Sequence, residues 1–193
     1  MISSENYSEK KLTRLLKKRD SAAMNALYCQ YAGYLTAVCS RYIISEEDVR
    51  DILHDSFIKI FTSIDKFEYR DVGSLKAWIT RIVVNESLKF IKQNEKFTNV
   101  QDENDFPAEA DEGDPDTEAV PAAVIQTFIR QLPTGYRMVF NLYVFEEKSH
   151  KEIAEILNIK EDTSASQLHR AKSMLAKKIN EYKSTTNGRA MDK

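Results

Sequence analysis

The sequence predicts an all-α protein made of two small helical domains on either side of an acidic linker. Three observations carry that prediction. Apolar residues recur at spacings of three and four through residues 8–95 and 122–182, the period of amphipathic helices. Glycine and proline number five and four in 193 residues, too few for a turn-rich all-β fold. Between the two periodic blocks, residues 101–123 hold nine carboxylates (Asp102, Glu103, Asp105, Glu109, Asp111, Glu112, Asp114, Asp116 and Glu118) and no Lys or Arg. That segment also carries Pro107, Pro115 and Pro121, and such a composition cannot bury enough apolar surface to fold alone.

The elements follow in order. Residues 1–7 show no periodicity and are expected to be disordered. A first helix is expected over Ser8 to Arg19, with Leu12, Leu15 and Leu16 inward and Lys10, Lys11, Arg14, Lys17 and Lys18 on a solvated basic face. Asp20-Ser21 is a cap signal for a second helix, Ala22 to Tyr42, whose Met24, Leu27, Tyr28, Tyr31, Leu35 and Val38 should be core. Ser45 caps a third helix, and Glu46, Glu47 and Asp48 lie in its first turn, where the dipole favours carboxylates. Val49, Ile52, Leu53, Ser56, Phe57 and Ile60 face inward there, leaving Asp51, His54, Asp55, Ile58 and Lys59 at the surface. Residues 65–74 break the period and form a loop with Phe67 and Tyr69. A fourth helix runs from Leu75 to about Gln93, burying Leu75, Trp78, Ile79 and Ile82. Its other face aligns Arg81, Asn85, Lys89, Lys92 and Lys96. Basic charge tracks phosphates and aromatics stack on unpaired bases, so loop and helix together have the composition of a single-strand binding surface. A core-capping loop beside a solvated helix face has the same composition.

The helical period resumes at Ala122 with Val124, Ile125, Phe128, Ile129 and Leu132, ending at Pro133. Thr134 is expected to cap a helix carrying Met138, Val139, Phe140, Leu142 and Tyr143. Ser149 followed by Glu152 is a capping box. It opens a short helix whose apolar face is Ile153, Ile156 and Leu157, ended by Asn158 in the left-handed conformation with Ile159 beneath the turn. The last helix extends to about Ile179, with Ser164, Leu168, Ala171 and Leu175 inward and Ala165, Ser166, Gln167, His169, Arg170 and Lys172 outward. Two short helices around a tight turn make a helix-turn-helix offering a recognition helix to a major groove. From Thr163 onward there are seven Lys or Arg against two acids.

Composition excludes several function classes. Cys29 and Cys39 lie ten apart on one predicted helix and read as reduced core thiols. Three scattered histidines, His54, His150 and His169, give no metal-ligand pattern, and no cofactor is expected. No run approaches the roughly 20 apolar residues of a membrane span, so a cytoplasmic protein without membrane insertion is expected. The net charge of −2 conceals two basic blocks: with the nine linker carboxylates set aside, the remainder stands at +7.

Residues in both blocks carry a family resemblance. Leu132-Pro133, Tyr136 to Phe140, Ser149 to Leu157 and Ser166 to Lys172 resemble the C-terminal promoter-binding domain (region 4) of bacterial sigma factors of the sigma-70 family, extracytoplasmic-function (ECF) type. Asp48 to Phe61 resembles the sigma helix that grips core RNA polymerase, and Phe67 with Trp78 to Glu86 resembles the region 2 element that reads the −10 promoter region. The resemblance implies a region 2 domain over 8–96, a linker over 97–121, a region 4 domain over 122–183 and a disordered tail over 184–193. It implies core-polymerase contacts at Asp51, His54, Asp55 and Ile58. For −10 DNA it implies Phe67, Tyr69, Arg81, Asn85, Lys89 and Lys92, with Phe67 and Asn85 at the pocket for a flipped base. For −35 DNA it implies Thr163, Ser166, Gln167, His169, Arg170 and Lys172, with Gln reading adenine and Arg guanine.

The implied partners are core RNA polymerase, promoter DNA and an anti-sigma factor, and the implied role is transcription initiation, not enzymatic catalysis. In the family the linker threads the polymerase near its active-site cleft, where a run of carboxylates could occupy a nucleic-acid channel. The chain departs from the family pattern at His54 (more often Gln), Glu147 (often Gly), Lys160 (a Ser or Thr cap) and Ala165 and Gln167 (often basic). Two other readings remain. One is a stand-alone helix-turn-helix regulator with a ligand-sensing N-terminal half. The other is an enzyme using Asp51, His54 and Asp55, for which no pocket or further polar group is visible.

Overall fold

The computed structural model describes residues 7–94, 117, 118 and 120–191, with side chains to residue 186. The polypeptide divides into two compact units, Met1–Lys96 and Phe97–Lys193. The described residues are helix, turns and loops, without a strand. The expected acidic tether lies almost wholly outside the described residues, as do Lys96 and the expected disorder of residues 1–6.

The N-terminal unit contains α1 (Glu9–Lys17), α2 (Ser21–Tyr42), α3 (Glu46–Ser63), a single 3-10 turn (Ile64–Lys66) and α4 (Ser74–Asn94). Helices α2, α3 and α4 pack on one another, and α1 lies against α2 and the 3-10 turn. Leu27, Leu35, Val38, Ile60, Leu75, Ile79 and Ile91 fill the centre. The second and third helices start at the caps their sequence announces, and Ser8, expected as the first residue of α1, is instead its cap. Ser8 accepts from Lys11 N at 3.4 Å, Asp20 from Ala23 N at 2.9 Å and Ser45 from Asp48 N at 3.3 Å. The α1–α2 turn passes through Arg19 at φ 59°, and the Arg19 guanidinium pairs with Asp65 and donates to the Phe61 carbonyl.

The fourth helix of this unit is secured from a distance. Glu9 turns inward, and its Oε2 accepts from the backbone N–H of Gly73 (2.9 Å) and of Leu75 (3.3 Å). Its Oε1 accepts from the Tyr31 hydroxyl at 3.1 Å. Burial, and then the Glu9 charge, push the Tyr31 phenol up to about 12. A carboxylate from α1 thereby satisfies donors at the start of α4 that no helix can satisfy internally. Gly73 sits at φ 96°, a conformation that a side chain would strain.

Two core expectations in this unit are corrected. Tyr28 is 54% exposed and lies over Phe57 with ring centroids 4.9 Å apart. Of the two cysteines only Cys39 is buried, which raises its thiol pKa, while Cys29 is exposed. By helical period Cys29 lies on the side of α2 opposite the buried stripe.

The C-terminal unit contains α5 (Ala122–Arg130), α6 (Thr134–Val144), α7 (His150–Leu157) and α8 (Glu161–Met191). Helix α8 is the spine against which α5, α6 and α7 pack. The capping box at α7 is complete: Ser149 N donates to Glu152 Oε2 at 2.9 Å and Glu152 N donates to Ser149 Oγ at 3.3 Å. Asn158 ends α7 at φ 56°, and Ile159 N reaches back to Ala154 O at 3.1 Å. Glu147 holds φ 51°, the conformation for which glycine is the easier residue. The expected inward stripe Ser164, Leu168, Ala171 and Leu175 is buried throughout.

Thr134 is not the cap of α6. Pro133 holds that position with no side-chain bond, and the Thr134 hydroxyl instead accepts from Arg137 Nη2 at 3.5 Å. Arg137 is only 2% exposed, and its Nη1 donates to the carbonyls of Leu132 (3.0 Å) and Arg130 (3.3 Å). A buried cation thereby closes the C-terminal end of α5, where the dipole favours it. Helix α8 continues past Ile179 as far as Met191, through the stretch expected to be a disordered tail. No Pro interrupts it, and Ser184, Thr185 and Thr186 turn their hydroxyls back to the carbonyls four residues earlier, at 2.8–2.9 Å.

Two outcomes are expected. Glu9→Ala leaves the Gly73 and Leu75 amides without their acceptor and should destabilise the N-terminal unit by roughly 1–2 kcal/mol, read as a lower melting temperature. Glu9→Gln, which keeps an acceptor, should recover most of it. In α7, the hydrogen bond from Ser149 N, followed by those from Lys148 and the Ser149 hydroxyl, holds the Glu152 carboxyl down at about 2. Its folded value is depressed, so its contribution to stability is present above pH 4.5 and lost as pH falls through about 2. The Glu152 side-chain carbon shift, followed by NMR, should titrate near pH 2 in the native chain and rise only in part in Ser149→Ala, which loses the hydroxyl but keeps the dominant backbone N–H.

Candidate nucleic-acid interface

In the N-terminal unit the candidate surface is the loop before α4 together with the outer face of α4. The loop is braced internally: Ser74 Oγ donates to Asp71 O at 2.7 Å and receives Arg70 N at 3.4 Å. Along α4, Arg81, Asn85, Lys89 and Lys92 are all exposed, while Ile79, Ile82, Val83 and Ile91 are buried behind them. Spacings of four, four and three keep the polar residues on one side of the helix. Lys76, one turn into α4, lies over the Tyr34 ring at 4.1 Å.

Phe67 does not sit where a base could stack on it. It is 6% exposed, and its ring packs on Trp78 with centroids 5.0 Å apart and planes at 32°. The 3-10 turn directs Phe67 back under α4, where its apolar area is worth more than in water. Tyr69 is half-buried. The reading of the loop overlooked Val72, which is 89% exposed at the tip, immediately before the Gly73 that Glu9 holds. An aliphatic side chain next to a glycine at a loop tip is the signal that could have marked it.

A second surface of this unit is the outer face of α3. Asp51, His54, Asp55 and Ile58 are all solvent-exposed, Ile58 by 49%. Among the described residues no cluster of His, Cys, Asp and Glu is arranged to hold a metal ion. The α3 group is therefore an acidic face with one apolar residue, Ile58, next to the buried Phe57 on which the exposed Tyr28 of α2 lies.

In the C-terminal unit, α7, the Asn158 turn and the start of α8 form the helix-turn-helix. His150 ties the two helices: its ring stacks on Tyr143 at 4.9 Å and its Nδ1 lies 3.0 Å from Ser164 Oγ. The exposed side chains at the start of α8 are Glu161, Asp162, Ala165, Ser166 and His169, and Thr163 is half-buried. Ser166 Oγ donates to Thr163 O at 3.1 Å.

Gln167 is corrected from outward to inward. It is 5% exposed, and its side-chain amide rests against Gly135 at the start of α6. Position 167 is three residues after Ser164 and four before Ala171, so it shares their face. An adenine-reading role for Gln167 does not fit that placement. Arg170 is half-buried and its Nη1 donates to the Tyr136 hydroxyl at 3.3 Å; Lys172 is half-buried as well. Among the described residues no helix is long and apolar enough to cross a membrane.

Comparison with known proteins bears on both units. The sequence matches the family Sigma-70 region 2 over residues 27–97 and the family Sigma-70, region 4 over residues 122–175. It is 27% identical over 186 residues to the ECF RNA polymerase sigma-E factor of Haemophilus influenzae, covering 91% of this chain and 97% of that one. It is 28% identical over 188 residues to the ECF RNA polymerase sigma-E factor of Salmonella typhimurium, covering 91% and 96%. With that of Escherichia coli K12 it is 27% identical over 188 residues, with the same coverage. Among solved structures, CnrH in its complex with the cytosolic domain of CnrY superposes with a TM-score of 0.49 at 20% identity, over 90% of this chain and 97% of that one. With two helical units matching two successive sigma regions, in order and over most of its length, the chain belongs to the sigma-70 family of RNA polymerase sigma factors, ECF type, and is a transcription initiation factor, not an enzyme.

Proposed function

We propose that this sigma factor directs core RNA polymerase to its promoters by −35 duplex recognition through the C-terminal unit and −10 strand capture through the N-terminal unit. The observation that carries the reading is the outer face of α4, where Arg81, Asn85, Lys89 and Lys92 stand exposed in one row next to a braced loop. Cations follow the phosphates of an unpaired strand, and the Asn85 amide, which donates and accepts, reads a base edge. Tyr69 and the exposed Val72 supply the apolar contact at the loop, in place of the buried Phe67.

On the −35 side, Ser166 and His169 at the exposed start of α8 make the base contacts, with Thr163 on a phosphate. Arg170 and Lys172 contribute their charge from partly buried positions. Core polymerase docks on the α3 face through Asp51, His54, Asp55 and Ile58, where one apolar residue among acids suits a protein surface. Residues 97–121, by their acidic and Pro-containing composition, act as the tether between the two helical domains. An anti-sigma factor is the regulatory partner that the family assignment proposes, and the work is done in the cytoplasm, where the polymerase is.

Run-off transcription with purified core polymerase tests the reading directly: a specific transcript should appear only when this chain is added. Asn85→Ala should lower open-complex formation about tenfold, and Ser166→Ala with His169→Ala should lower promoter-specific transcription about tenfold, since a lost base contact costs roughly 1–3 kcal/mol. All three changes should leave core binding unchanged. Asp55→Lys with Ile58→Ala should do the reverse, weakening core binding in a pull-down. No transcript above the level of core alone would sink the proposal.

A further inference from the structure

Helix α1 carries a second charged strip that neither the fold nor the −10 surface uses. Lys10, Lys11, Arg14, Lys17 and Lys18 are all exposed. At 100° per residue they lie within an arc of about 120°, along a length of about 12 Å. None of the five takes part in an ion pair among the described residues; Lys11 lies over the Tyr7 ring at 4.4 Å, which leaves its charge in solvent. Arg19, next along the chain, is the contrast, since it is spent on Asp65 and the Phe61 carbonyl. Helix α1 has one acid, Glu9, and it faces inward.

The strip is also indexed to the loop. Glu9 Oε2 holds the backbone N–H groups of Gly73 and Leu75, so the first turn of α1 is fixed beside the loop tip at Val72. Lys10 and Lys11 follow Glu9 directly. The cationic row therefore runs along the outside of the unit from the Gly73 end of the loop to the 3-10 turn, where Arg19 pairs with Asp65.

We propose that the outer face of α1 binds the phosphates of the opened promoter strand where it continues beyond the −10 element. The strip offers four ammonium groups and one guanidinium on long exposed side chains, so it tracks backbone and lends affinity without sequence preference. Its length suits roughly two or three phosphates. The inference rests on the reading of the adjacent loop as the strand-capture loop.

The test uses holoenzyme assembled from core polymerase and the full chain. Two single-stranded probes are compared, one ending at the −10 element and one extended by six nucleotides on both sides. The variant changes all five residues to Gln; a second changes the four lysines to Arg. The native chain should hold the extended probe more tightly, and the Gln variant should lose about tenfold on it while binding the short probe normally. The slope of log affinity against log salt should fall by about 1.4–2.1, at about 0.7 per phosphate on a single strand. The Arg variant should match the native chain. Equal affinity of the native chain and the Gln variant for the extended probe would overturn the inference, as would a loss of core binding by the Gln variant. A native chain blind to the −10 sequence of the short probe would overturn the strand-capture reading and this inference together.

Discussion

The ends of short helices govern this protein. Each unit has fewer than a hundred residues and a correspondingly small core, and every helix presents backbone donors at one end and acceptors at the other that it cannot satisfy itself. Local side chains close the simple cases: Ser8, Asp20, Ser45 and Ser149 each accept from a nearby amide. The remote cases set the tertiary arrangement. Glu9 crosses from α1 to the start of α4, and the buried Arg137 crosses from α6 to the end of α5. In both, one charged group meets two backbone partners, and charge-assisted bonds of this kind are stronger than neutral ones.

That constraint places function as well as structure. The carboxylate that caps α4 also immobilises Gly73, so the loop next to the α4 cations is held by a helix about 60 residues earlier in the chain. In the C-terminal unit, the capping box, the left-handed Asn158 and the His150–Ser164 contact fix the angle at which α8 leaves the turn. A recognition element set on such a rigid frame loses little ordering entropy when it binds.

The two units divide electrostatic labour unevenly. The exposed row of α4 is cationic, whereas the exposed start of α8 opens with Glu161 and Asp162 and offers Ser166 and His169. Acids in a first turn favour the helix dipole.

Much of this architecture was legible in the sequence. The caps at Asp20, Ser45 and Ser149, the left-handed Asn158 and the inward stripe from Ser164 to Leu175 depend on local chemistry and helical period, which a chain carries wherever it folds. The exposure of Arg81, Asn85, Lys89 and Lys92, and of Asp51, His54, Asp55 and Ile58, follows from the same period. Tertiary packing decided the rest, because the width of a buried stripe depends on how many neighbours a helix has. Helix α8 serves α5, α6 and α7 at once, which draws Gln167 wholly, and Arg170 and Lys172 partly, out of solvent. Tyr28 lies over the buried Phe57 of α3 and stays exposed on its outer side. Phe67 turned inward because Trp78 offered it a dry surface, and Glu9 and Arg137 found partners that no local pattern announces.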